Sequence, residues 1–104
     1  GTIADTPAMT GDITIDMAAS NNYKATLTGN AVFKNPTNQV AGQSGSIFIT
    51  QDGTGSRTAS WEANWKWVGG TAPTLSTAAG SVDRIDYIIL ASTKIHAVAS
   101  LDVK

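Results

Sequence analysis

The sequence predicts an all-β domain, and three observations carry that expectation. Apolar and polar residues alternate with a period of two along several segments, as a half-buried strand requires. Turn chemistry recurs at a spacing of about 8–12 residues, the rhythm of sandwiches and barrels. No stretch of helical length repeats apolar residues at i, i+3, i+4 and i+7. Together they predict about seven or eight strands in a two-sheet antiparallel sandwich, with a jelly roll among the arrangements that fit. One flat sheet of that size would leave an apolar face wet.

The strands are read in order. Residues 11–17 alternate most clearly, with Ile13, Ile15 and Met17 on one parity and Asp12, Thr14 and Asp16 on the other. After the turn residues Ser20-Asn21-Asn22, Tyr23, Ala25 and Leu27 alternate with Lys24, Thr26 and Thr28. Gly29-Asn30 then predicts a hairpin turn. Residues 31–34 form a short third strand that Asn35-Pro36-Thr37-Asn38 must end, since proline supplies no ladder donor. Residues 45–51 place Ile47 and Ile49 opposite Phe48 and Thr50, and Asp52, Gly53 and Gly55 supply a turn into a return strand over 56–61. Trp65 and Trp67 share a parity, and Gly69-Gly70 and Pro73 begin a polar loop that runs to Gly80. Residues 82–91 and 94–103 make a last pair around Ser92-Thr93. Ile95, Ala97, Ala99 and Leu101 fall on one side of the second strand and Lys94, His96 and Ser100 on the other.

The 104 residues suit one domain, 1–104, with residues 1–10 read as an extended arm or linker. Charged residues are only 14% of the chain, against about 25% in an average domain. The formal net charge is -1, which removes the electrostatic basis for nucleic acid or anionic membrane as partner. Cysteine is absent, so neither disulfides nor thiolate metal sites are available. No apolar run approaches the roughly 18 residues of a membrane span, so membrane insertion is not expected. The start at Gly1, with no basic and apolar leader, reads as a cleavage product of a longer polypeptide.

The residues that carry chemistry do not assemble into a known catalytic pattern. The carboxylates are Asp5, Asp12, Asp16, Asp52, Glu62, Asp83, Asp86 and Asp102. Asp12 and Asp16 read as solvated charges of one strand face, and Asp83 and Asp86 beside Arg84 as an ion-pair cluster. His96 is the only histidine, and Gly42-Gln43-Ser44-Gly45 does not match the elbow that presents a nucleophilic serine. Gln51-Asp52-Gly53-Thr54-Gly55-Ser56 has one carboxylate and no Gly-Lys-Ser/Thr, too little for a calcium or phosphate loop. A structural turn is the better reading, in which Asp52 caps its own loop and the forked donors of Arg57 pin it. No catalytic, metal or cofactor residue is therefore assigned, and the domain is expected to be a structural or binding module.

Trp61, Trp65 and Trp67 are the notable aromatic group. In a chain with few other large side chains they are expected in core or intersubunit packing, with sugar stacking on Trp65 or Trp67 as the second reading. Tyr87, Ile88, Ile89 and Leu90 are apolar on both parities, so the second face of that strand must also leave water. A partner subunit or the loop over 69–80 is expected to cover Ile88 and Leu90.

The segment Gly42-Gln43-Ser44-Gly45-Ser46-Ile47-Phe48-Ile49-Thr50-Gln51-Asp52-Gly53-Thr54-Gly55-Ser56-Arg57-Thr58, then Trp61, then Gly69-Gly70-Thr71-Ala72-Pro73-Thr74-Leu75-Ser76, resembles a module of tailed-phage virion proteins, including those of marine phages. The resemblance covers about residues 40–104, and residues 1–40 resemble no family. It implies a β-rich domain of a tail fibre, head fibre or other structural polypeptide, located in the virion and without catalytic residues. It further implies assembly with itself, as a homotrimer, and with other virion proteins. A receptor-binding or carbohydrate-binding tip that meets a host surface glycan is the alternative.

Overall fold

The computed structural model describes residues 3–104. Seven strands make one sheet: β1 (Ile3–Ile13), β2 (Asn22–Phe33), β3 (Ser44–Gln51), β4 (Ala59–Trp61), β5 (Trp65–Trp67), β6 (Val82–Ala91) and β7 (Lys94–Ser100). One 3-10 turn, Val68–Gly70, follows β5. The order across the sheet is β1-β2-β3-β6-β7-β5, and β4 adds to β2. Residues 3–10, expected as an arm, lie in β1 beside β2, while residues 1–2 of that arm and the side chain of Asp5 lie outside what is described.

The expected all-β class holds, and the expected wholly antiparallel pairing is corrected. β1, β2 and β3 run parallel, as do β4 beside β2 and β5 beside β7; only β3 with β6 and β6 with β7 are antiparallel. The described strands belong to one hydrogen-bonded sheet rather than two facing sheets. That sheet hides its apolar face by curling. The chain leaves β4, turns the corner through Glu62–Asn64 and enters β5, so the far edge of the sheet returns to β2. Glu62 N donates to Phe33 O and Ile95 N to Asn64 O, which ties the corner to both sides.

Parallel neighbours require crossovers, and here these are extended straps. Ile13, Ile15 and Met17, read as one strand, belong to the end of β1 and to the strap that follows it. All three are buried, and Met17 N donates to Thr37 O while Thr37 N donates to Ile15 O, binding the first strap to the second. A strap with one wet side alternates as a strand does, which explains the misreading.

Gly29-Asn30 does not turn the chain, because β2 runs unbroken from Asn22 to Phe33. A Cβ at Gly29 would lie 2.2 Å from Thr10 Oγ1, so glycine serves the close approach of β1 where the ladder shifts register. The predicted hairpin at Asp52 is also replaced. β3 and β4 both run parallel to β2 along the same edge, and residues 52–58 are a loop between collinear strands. Residues 82–91 and 94–100 form the expected antiparallel pair, with β7 ending at Ser100.

The core lies inside the curl. Tyr23, Leu27, Phe33, Ile47, Ile49, Ile85, Tyr87, Ile89, Ile95 and Ala97 point inward at alternate positions. Complete burial of one such aliphatic side chain stabilises by about 1.5–3 kcal/mol.

Candidate functional site

The outer face of β5, β6 and β7 carries the most unusual surface. Strand parity sends Ile85, Tyr87 and Ile89 inward and leaves Ile88 51% and Leu90 56% exposed, so the loop over 69–80 does not cover them. Across the ladder Ile88 pairs with His96 and Asp86 with Val98, while Lys66 of β5 pairs with His96 from the other side. Val98 is 51% exposed and sits diagonally from Ile88, a separation that side chains bridge. Exposed Val68 follows β5 beside them. A groove of about 550 Å3 opens here, lined by Lys66, Trp67, Asp86, Ile88, His96 and Val98 among others.

The three tryptophans sit behind this face. Trp61 stacks on Phe33 with ring centroids 4.2 Å apart, and Trp65 and Trp67 meet it edge-on at 4.9 and 4.8 Å. Trp65 is only 4% exposed, and its Nε1 donates to Lys34 O at 3.1 Å. Stacking of a sugar on Trp65 is thus sterically blocked. Trp67 is half-buried and reaches the groove wall. Tyr87 points into the core, where its hydroxyl donates to Asn21 O at 2.7 Å and burial pushes its pKa up to about 12.

The loop over 52–58 is held by side chains at its entrance. Asp52 Oδ1 accepts from the backbone N–H groups of Thr54 and Gly55, and Arg57 closes a fork on both carboxylate oxygens, Nη2 to Oδ2 at 3.0 Å and Nε to Oδ1 at 3.4 Å. The hydrogen bond from Arg57 leads the causes that hold the Asp52 carboxyl below its usual range. Buried Gln51 spans the loop: its Nε2 donates to Arg57 O and Ser76 O, and its Oε1 accepts from Arg57 N. Gly55 takes φ +73 against Thr77 and Ala79, whereas Gly53 has open space around it and no positive φ.

The remaining carboxylates are dispersed. Asp16 accepts from Asn38 and Ala18, and Glu62 accepts from Asn35 N while pairing with Lys34 at 3.3 Å. Asp86 pairs with Arg84 at 3.1 Å, but Asp83 does not join them. It faces inward, 2% exposed, and accepts from Ser76 N and Asp102 N, both at 2.7 Å. Among the described residues no group of three or more His, Asp and Glu is placed to hold a metal ion. Sequence reasoning missed Val98, Val68 and the role of Gln51, and it assigned Asp83 to an ion-pair cluster rather than to the interior. For three of them the signal was present: Val98 is apolar on the parity of His96, and Gln51 and Asp83 are polar on the parities of Ile49 and Ile85.

Curled β architecture, packed aromatics inside and exposed Ile88, Leu90 and Val98 outside define an all-β module. Over residues 6–91 the chain matches the family described as "Putative phage tail fibre C-terminal domain", and it belongs to that family. It is accordingly a structural phage module of tail-fibre type, associated with the virion. The match includes most of residues 1–40, where the sequence alone resembled no family. No curated protein and no solved structure matches the chain significantly.

Proposed function

We propose that the domain is a non-enzymatic structural component of the fibre that works by self-assembly, its outer β5-β6-β7 face closing against further copies in a homotrimer. The exposure of Ile88 and Leu90 beside Val98 carries this reading. Three large aliphatic side chains on one sheet face favour association, since burying the exposed half of each contributes about half of the 1.5–3 kcal/mol of complete burial. The number three comes from the resemblance to phage fibre proteins, and contacts with other virion proteins follow from membership of the family. Light scattering should give about three times the 10.7 kDa chain mass, and Ile88→Asp should shift the protein toward monomer with an unchanged far-ultraviolet spectrum. A monomeric wild type at high micromolar concentration overturns the reading.

The groove supports a second reading, a tip that binds a receptor or host surface glycan. About 550 Å3 lies in the range of ligand pockets, and Lys66, Asp86 and His96 place polar groups beside the wall formed by Trp67. Binding on a glycan array that is lost in Lys66→Ala supports it. The same array with no response from wild type removes it.

A further inference from the structure

The outer face is not uniform, and its pattern says how copies should be oriented. On β6 the outward residues run Arg84, Asp86, Ile88, Leu90; on β7, in the opposite direction, they run Ser100, Val98, His96, Lys94. Lys66 of β5 lies level with His96, and Val68, two residues later, opens the 3-10 turn that follows β5. Leu90, Ile88, Val98 and Val68 therefore form an apolar diagonal across β6, β7 and the turn after β5. On one side of it lie Lys66, Lys94 and His96, and on the other Asp86 with Arg84 and Ser100. Lys66 and Lys94 have no acidic neighbour across the ladder, because Lys66 pairs with His96 and Lys94 with Ala91. Asp86 takes Arg84 Nε on Oδ2 and the Ser46 hydroxyl on Oδ1, and its side chain remains 44% exposed.

We infer that copies of this chain associate with the Leu90-Ile88-Val98-Val68 diagonal along their rotation axis, so that the Lys66/Lys94 flank of one copy meets the Asp86 flank of the next. The inference rests on the self-assembly reading and adds the orientation. Rotation about an axis along the diagonal brings opposite flanks together whatever the number of copies, and each apolar residue then faces its own equivalents. An axis across the diagonal in the plane of the face would set lysine against lysine, which like-charge repulsion opposes. Among the described residues one flank is basic, while the other pairs Asp86, the one carboxylate of the face, with Arg84, so Asp86 of a second copy is the acceptor that this face offers to Lys66 and Lys94.

The absence of cysteine makes the test clean. Ile88→Cys and Val98→Cys, each alone under mild oxidation, should form a disulfide dimer on a denaturing gel. Lys66→Cys alone should not, but mixed with Asp86→Cys it should give a cross-linked pair. Lys66→Glu with Lys94→Glu should lower the associated fraction at low salt, and adding Asp86→Lys in the same chain should restore it. If wild type associates while Ile88→Cys and Val98→Cys stay unlinked, the orientation is wrong and self-assembly stands. If wild type is monomeric, the underlying reading fails first. Melting curves of each variant show whether a loss of linkage reflects unfolding, and Ile88→Cys and Val98→Cys, at positions about half exposed, keep the outcome decisive.

Discussion

Asp83 on β6 accepts the backbone N–H of Asp102 at 2.7 Å, so a carboxylate inside the curl holds the C-terminal tail to the sheet. Its other oxygen takes Ser76 N, and one side chain thereby clasps two segments that share no strand pairing. Asp83→Ala leaves two backbone donors without their acceptor. We expect a loss of about 3–6 kcal/mol, since hydrogen bonds to a charged group contribute about 1.5–3 kcal/mol each. Thermal unfolding should report a clear drop in Tm, and an unchanged Tm would contradict the clasp.

The two glycines of the loop over 52–58 should separate in their tolerance of a methyl group. At Gly55 a Cβ meets Thr77 O at 2.6 Å and Ala79 N at 2.9 Å from a left-handed backbone, while at Gly53 it meets open space. Gly55→Ala should cost about 2–4 kcal/mol from strain and overpacking together. Gly53→Ala should be nearly neutral. Paired denaturant titrations measure both, and equal effects would count against the assigned geometry.

Arg57→Lys should lower Tm by a few degrees even though the charge is kept. Lysine offers one ammonium where guanidinium spans both oxygens of Asp52. With Asp52 held below its usual pKa, the pair's contribution is complete above that usual value and is lost as pH falls below it through the lowered folded-state value. The gap in Tm between wild type and Arg57→Lys should therefore narrow on acidification. A gap that is constant from neutral to strongly acid pH would be inconsistent with this pair.

Tyr87 makes the alkaline counterpart. Its pKa rises from 10.0 to about 12, because burial disfavours the phenolate. The folded state thus holds its proton longer than the unfolded one. The stabilising contribution is complete below pH 10 and is lost as pH climbs toward about 12. Tyr87→Phe should cost about 1 kcal/mol at neutral pH through the lost bond to Asn21 O, and its stability should fall less steeply above pH 10. Urea midpoints across that window check both statements.

How much was legible follows from what periodicity encodes. β3, β6 and β7 were readable because Ile47 and Ile49, or Ile85, Tyr87 and Ile89, alternate against a wet outer face. The parallel order was not, because period two is the same for either strand direction, and the straps share it whenever Ile15 and Met17 face the core. Glycine was ambiguous in the same way: Gly29 signals a turn or a close approach equally well, and only the position of Thr10 decides. Ile88 and Leu90 stood out as apolar on the wrong parity. The groove did not, since Lys66, Asp86 and Val98 come from three strands whose adjacency no local pattern states.

β2 pairs with β1 along its whole length, with β3 over its first half and with β4 near its end. Two of the six other strands, β1 and β4, therefore have no hydrogen-bonded neighbour until Asn22–Phe33 is extended, and β4 reaches it only after the intervening chain has been threaded through β3. Such distant parallel pairings pay loop closure before any ladder forms, which places acquisition of the native state in the millisecond-to-second regime typical of non-local β topologies. A ribosome delivers β2 before β3 and β4, so the edge with which both strands pair is already synthesised when they emerge.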